Sequence, residues 1–279
     1  MARLLRIILL LVFAAGFFAL MILKASNPNS TSTGYVAAGV IALAVWVLLF
    51  RQLSQWVRKE REELVTAGTE HGLQFVSAKP DKKSILPLPE QTPHLNRKDA
   101  RPKLMFVGFV DSPRRPIKVF EHTYNVMAGQ IIIPITHRVA VMPVPANWPT
   151  TRIFGRRASD MKMGIWKRLK PLKLDSDEFN QRFRTQSTDP GFALLFVNPE
   201  IQEAILSAPD KVAGVCHVES GQLWYYEKGS MTPESLRRMI RLFMDFVSHI
   251  TPDLWDSASA NGSIEISQTF TSTTARNNE

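Results

Sequence analysis

The chain has 279 residues, 45% of them hydrophobic and 21% charged, with a formal net charge of +9. That length accommodates a membrane anchor plus one ordinary domain, or two small ones. A lone cysteine, Cys216, excludes a disulfide framework and any multi-cysteine zinc or iron–sulfur centre, and it fits a reducing compartment.

Residues 1–50 are almost free of charge, whereas the remainder is polar and basic. Ile7 to Leu23 and Gly34 to Phe50 carry no charged residue. Each covers roughly 25 Å as a helix, at about 1.5 Å per residue, slightly short of a roughly 30 Å hydrocarbon core. Arg6, Lys24 and Arg51 make up the difference by snorkelling. Neither segment has a polar face, which argues against a soluble core helix. A cleaved signal peptide competes for the first segment, but Ile22-Leu23-Lys24-Ala25 offers no small-x-small cleavage site. The expectation is a transmembrane hairpin over 1–51, with spans at about 5–23 and 34–50. Arg3 and Arg6 precede it, and Arg51, Arg58, Lys59 and Arg61 follow it. The positive-inside rule therefore predicts an inner-membrane, multi-pass protein with both termini cytosolic. Ala15/Ala19 and Ala38/Ala42 are small residues that let two such helices approach closely.

A juxtamembrane helix is predicted over 52–72, from Leu53, Trp56, Val57, Leu64 and Val65 at helical spacing, ending at His71-Gly72. Leu73 to Val76 is a short strand candidate. Residues 79–103 read as a loop. Leu104 to Val110 and Ile117 to Tyr124 form a hairpin with a proline-stiffened connection, and Ile131 to Val144 is a third strand, broken at Pro134. Asp189-Pro190 and Asn198-Pro199 each join an N-cap residue to proline at the first helical position, opening helices Pro190 to Val197 and Pro199 to Ser207. Ala213 to Glu219 and Leu223 to Glu227 form a second hairpin around Ser220-Gly221. From Thr232-Pro233-Glu234 a helix carries one apolar stripe, Leu236, Met239, Ile240, Phe243, Phe246, Val247 and Ile250, suited to lie across a sheet. The fold class predicted is α+β, a mainly antiparallel sheet with flanking helices over 73–255, cytosolic. Residues 256–279 are Ser-, Thr- and Asn-rich and read as a disordered tail.

No phosphate-binding loop, dinucleotide fingerprint, H-E-x-x-H or G-x-S-x-G occurs, so no catalytic, metal or cofactor residue is assigned. His122 and His137 lie on predicted neighbouring strands. A turn centred near Met127-Ala128 sets His122 opposite about Ile133 and His137 opposite about Lys118, several residues apart, which disfavours a shared metal. Cys216 and His217 are adjacent on one strand and point to opposite faces, so Cys216 reads as a small core residue.

Arg152 to Lys173 is the strongest charge feature. Arg152, Arg156, Arg157, Lys162, Lys167, Arg168, Lys170 and Lys173 face one acid, Asp160, with Trp166 among the interleaved apolar residues. Near a bilayer these residues are expected to contact anionic headgroups, each basic residue worth roughly 1 kcal/mol, with Trp166 at the interface. A solvated basic connector is the plainer alternative. The bilayer is the nearer anion, and no motif supports nucleic acid.

Glu178-Phe179-Asn180-Gln181-Arg182-Phe183-Arg184, followed by Asp189-Pro190 and the segment Asn198 to Leu206, resembles an uncharacterised family of bacterial membrane proteins. Its members have N-terminal spans, a β-rich middle, a Phe-Asn-x-x-Phe segment, then a helix, a hairpin and a final helix. The resemblance implies a bacterial source and this architecture, and no reaction. Physically, Phe179 and Phe183 share a helical face or flank a turn, and Asn180 satisfies backbone groups there. Arg182 and Arg184 either pair with Asp175, Asp177 or Asp189, or form an anion site. The expectation is a membrane-anchored, non-enzymatic module that binds a protein partner or the inner leaflet. The alternatives are a membrane-tethered, hydrolase-like enzyme without a recognisable motif and a structural subunit of a membrane complex.

Overall fold

The computed structural model describes residue 16 and residues 32–81, 100–111, 114–155, 169–207 and 215–259. The chain divides into two units, Met1–Ala67 and Gly68–Glu279.

Helix α1 (Ser32–Thr69) joins the expected second span to the juxtamembrane segment without a break. No proline and no glycine lies between Gly39 and Gly68, and leucine, valine and alanine dominate its first half, so nothing local interrupts the hydrogen-bond ladder. It stops where Leu73 N donates to Gly68 O (2.9 Å) and Gly72 N donates to Thr69 O (3.0 Å). The expected first span, 5–23, lies outside the described residues except for Gly16, and with it the antiparallel helix pair. Within the second span the described side chains are residue 40 and residues 43–50. Among the described residues no helix is long and apolar enough to cross a membrane.

The second unit is built on one antiparallel sheet, nine-stranded among the described residues, in the order β1-β2-β3-β4-β9-β8-β5-β7-β6. Its strands are β1 (Gln74–Ser77), β2 (Arg101–Asp111), β3 (Arg114–Ala128), β4 (Ile131–Pro143), β5 (Thr151–Gly155), β6 (Lys170–Leu172), β7 (Phe183–Ser187), β8 (Val215–Glu219) and β9 (Gln222–Lys228). The helices are α2 (Asp177–Arg182), α3 (Pro190–Phe196), α4 (Pro199–Ser207), α5 (Pro233–Ser248) and α6 (Pro252–Ser259). Asp189 caps α3, its carboxylate accepting from Gly191 N and Phe192 N (2.8 and 3.2 Å). Thr232 and Ser235 exchange side-chain and backbone bonds in a reciprocal box at the start of α5.

Alternation divides the core in two. On one face Leu236, Met239, Ile240 and Phe243 of α5 are buried, with Phe243 beside Tyr225 of β9, ring centroids 6.4 Å apart. On the other face Phe120, Val139, Val141, Phe154, Trp224 and Tyr226, with Met105, make a second buried cluster. Strand residues two apart share a face, so a single sheet supplies both.

Several expectations need correction. β2 starts at Arg101, inside the segment read as a loop, because Arg101 to Lys103 pair with Thr123 to Glu121. Pro116 lies within β3, opposite Phe109. β4 runs unbroken through Pro134, which pairs with Asn125. Pairing of β4 with β9 stops at His137, so no neighbour needs a donor from Pro134. β5, β6 and β7 were not foreseen. They are short, and basic and polar residues mask their alternation. Helix α6 continues to Ser259, over the start of the segment read as a tail, and residues 260–279 lie outside the described residues.

Candidate functional site

The histidine pairing also needs correction. The β3–β4 turn is at Gly129-Gln130, two residues later than expected, and this brings His122 directly opposite His137. His137 is opposite Lys228 on its other side. Direct partners in an antiparallel ladder point to the same face. The His137 ring stacks on Tyr124 (5.7 Å, interplanar angle 6°) and meets the edge of Tyr226 at 6.1 Å. Burial pushes its pKa down to about 4, and the facing His122 and Lys228 add to the shift. Among the described residues no group of three or more His, Cys, Asp or Glu is placed to hold a metal.

One residue further along each strand, the opposite face carries a row of alternating charge. Lys103 pairs with Glu121, Glu121 with Arg138 and Arg138 with Glu227, across β2, β3, β4 and β9. Lys103 Nζ is 3.8 Å from Glu121 Oε1, and Arg138 Nη2 is 3.3 Å from Glu227 Oε2. Arg238 of α5 closes the row, 3.4 Å from the same Glu227 oxygen. The segment between β9 and α5 is tied into it. Met231 N donates to Glu121 Oε2 (2.8 Å), and Arg138 donates to Ser230 O (3.2 Å) and Lys228 O (3.1 Å). Gly229 makes room, since a Cβ there would stand 3.1 Å from the Arg138 guanidinium. Burial raises the Glu227 pKa, and Arg138 and Arg238 oppose that shift. These bonds fasten α5 to the sheet, and the acids are sealed from solvent.

On the histidine face, a further register line runs Lys118, Val141, Trp224, His217, Arg152 and Gln186, across six strands. Trp224 is 1% exposed and His217 fully buried. His217 Nε2 lies 3.4 Å from Glu219 Oε2, but both side chains are inaccessible, so the pair cannot reach a substrate from solvent. The Arg152 guanidinium lies 4.4 Å over the Phe154 ring. Burial lowers the Arg152 pKa, and Tyr226 pulls it back up. Cys216 is buried on the helix face, and burial pushes its thiol well above the ordinary range.

Of the basic segment, Arg152 is thus half-buried on β5, while Lys170 and Lys173 are exposed and Lys173 meets Asp177 at 3.3 Å. Arg156, Arg157, Lys162, Trp166, Lys167 and Arg168 lie outside the described residues. In the Phe-Asn-x-x-Phe string, the Phe179 and Phe183 rings stack at 5.1 Å at the α2–β7 junction. Asn180 Oδ1 accepts from Leu174 N (3.0 Å), and its Nδ2 donates to Leu174 O (2.6 Å) and Ser176 O (2.7 Å). Arg182 meets Glu178 at 3.8 Å and donates to Leu206 O (3.2 Å), a different acid from those expected. Arg184 is exposed on β7. Asn180→Ala removes three bonds that hold the loop before α2. It is expected to cost about 2 kcal/mol, read from the shift in denaturant midpoint at unchanged slope.

The geometry defines an antiparallel α+β domain with two differently polar sheet faces. No family model matches the chain. No curated protein matches it either. Among solved structures, it is similar to the crystal structure of the mycobacterial trehalose monomycolate transport factor A, TtfA. The identity is 11% and the TM-score 0.47, over 68% of this chain and 95% of that one. An overlap of that extent leaves the topology to stand on the strand pairings given above.

Proposed function

We propose that the chain is a membrane-anchored, non-enzymatic module of the inner membrane, with both termini cytosolic, that binds a protein partner or the inner leaflet. One observation carries this reading. In α1, Val40, Leu43, Val45, Val47, Leu48 and Phe50 are each about half exposed or more. Successive helical residues point about 100° apart, so this run has no polar side to turn toward water. Arg51, Arg58, Lys59 and Arg61 follow it and supply a cytosolic positive flank. The exposed Lys170 and Lys173, with the basic residues from Arg156 to Arg168, are assigned to anionic headgroups or to an acidic partner. Membership in the family with the Phe-Asn-x-x-Phe segment belongs to the same reading and rests on Phe179, Asn180 and Phe183.

The test is alkaline carbonate extraction of membranes that contain the full-length chain, followed by ultracentrifugation. Retention in the pellet is expected. Recovery in the supernatant rejects the anchor, and digestion of the large domain by protease added outside intact cells rejects the sidedness.

A further inference from the structure

Among the described residues, the pairing of β3 with β4 runs on past the last pairs that either makes with its other neighbour. β2 pairs with β3 no further than Arg101↔Thr123, and β9 pairs with β4 no further than His137↔Lys228. Beyond those pairs the β3–β4 register continues from Tyr124↔Ile135 to Ala128↔Ile131, closed by the turn at Gly129-Gln130. At about 3.4 Å per residue, five residues carry this ribbon about 17 Å past the last of those described pairs.

Three properties of the ribbon point to one occupant. First, it contains no Asp, Glu, Lys or Arg from Tyr124 to Ile135. Second, it is apolar on both sides. Met127 and Ile132 are direct partners on one side, 75% and 62% exposed, and Ile131 and Ile133 are on the other, 67% and 45% exposed. A protein groove covers one side of a ribbon and leaves the other wet, whereas hydrocarbon surrounds a tip. Third, the flanks at its base are basic. Arg101 of β2 and Lys228 of β9 are exposed at the last paired positions, while Glu121 and Glu227 nearby are buried and engaged in the charge row. A positive collar below an apolar tip complements anionic headgroups above hydrocarbon. The tip is a hairpin and not a closed barrel, which limits the depth, because backbone donors cannot be left bare in the bilayer core. Insertion therefore stops at the interfacial layer, and Pro134 has no N–H to desolvate there.

We propose that the β3–β4 tip, Met127 and Ile131 to Ile133, inserts into the interfacial layer of an anionic bilayer, with Arg101 and Lys228 at headgroup level. The proposal rests on the anchored reading above and adds a second, β-structured point of membrane contact.

The test uses full-length Ile132→Cys, labelled with an environment-sensitive fluorophore. Cys216 is the chain's sole native thiol and is buried, so the label reports the tip. Glu203→Cys, on an exposed position of α4, is the control. The protein is compared in detergent and in phosphatidylglycerol-containing vesicles, with and without nitroxide-labelled lipid. Flotation with the vesicles scores the anchor, and quenching scores the tip. The expected result is flotation of both variants, with a blue-shifted, strongly quenched label at 132 and an unquenched label at 203. Replacing both Arg101 and Lys228 by Glu is expected to reduce the quenching at 132 while flotation persists. Flotation with equal quenching at both positions overturns the tip proposal and leaves the anchor intact. A blue shift in detergent that grows with protein concentration overturns it in favour of a second copy. Failure to float removes both readings.

Discussion

Glu227→Ala is expected to be among the most destabilising single substitutions in the domain, by roughly 3 kcal/mol or more. Glu227 is 4% exposed and accepts from two arginines, Arg138 on the neighbouring strand and Arg238 on α5. Removing it takes away the carboxylate 3.3 Å from the Arg138 guanidinium, whose side chain is 10% exposed, and leaves Arg138 with Glu121 on its other side and a second cation nearby. The cost falls toward the low end of the range for a broken buried pair, because the Arg238 side chain is one-third exposed and can turn to water. Chemical denaturation of the full-length protein in mild detergent measures it. The double variant Arg138→Met/Glu227→Leu is expected to recover part of the loss. It removes both buried charges, but the carbonyls of Ser230 and Lys228 still lose their donor. If the double variant proves less stable than Glu227→Ala alone, the charge row contributes more than it costs.

The second large effect is acid lability centred on His137. Its folded pKa lies near 4, against 6.5 for an ordinary histidine. Between those values the unfolded chain binds the proton and the folded chain does not, so stability falls as pH drops from about 6.5 to 4. The full difference corresponds to roughly 3 kcal/mol. The groups facing the ring are His122 on β3, Lys228 on β9 and the rings of Tyr124 and Tyr226. His137→Phe keeps an aromatic ring on Tyr124 and removes the titration, so its thermal midpoint is expected to change less between pH 7 and pH 4.5 than the parent's. Glu227, whose pKa is raised, acts with the opposite sign. Its contribution is present at low pH and is lost as pH rises through its folded pKa. Because both proteins carry Glu227, its effect cancels in the comparison. Equal acid sensitivity of parent and variant rules His137 out as the source.

Where local chemistry dictates structure, the sequence was readable. Asp189-Pro190, Asn198-Pro199 and Thr232-Pro233 each open a helix because a side-chain oxygen and a proline solve the problem of unpaired N–H groups within a few residues. The turn at Ser220-Gly221 was readable too, since both residues adopt φ near +50 to +70°, the geometry a two-residue hairpin needs. Asn180 as a loop fastener belongs with these, all three of its bonds reaching residues no more than six positions away.

Strand order and register were not readable in this way. β5, β6 and β7 are three to five residues long and become strands only because neighbours supply hydrogen bonds and burial that their own residues do not announce. A turn two residues later than its estimated place put His122 beside His137, because antiparallel register depends on where the turn falls. The acid Arg182 meets was likewise decided by the one-turn spacing of α2, which offers Glu178.

The amino-acid order by itself determined the apolar, charge-poor N-terminal stretch with its basic flank, the helix starts and the α+β class, because solvation and capping act on residues close in sequence. Only the tertiary structure decided which faces carry the histidines and the charge row, and that Met127 and Ile131 to Ile133 stand exposed together beside the β3–β4 turn. Those features depend on strand pairings between residues far apart in sequence, 89 positions for Arg138 with Glu227 and 91 for His137 with Lys228, and no local signal specifies such pairings.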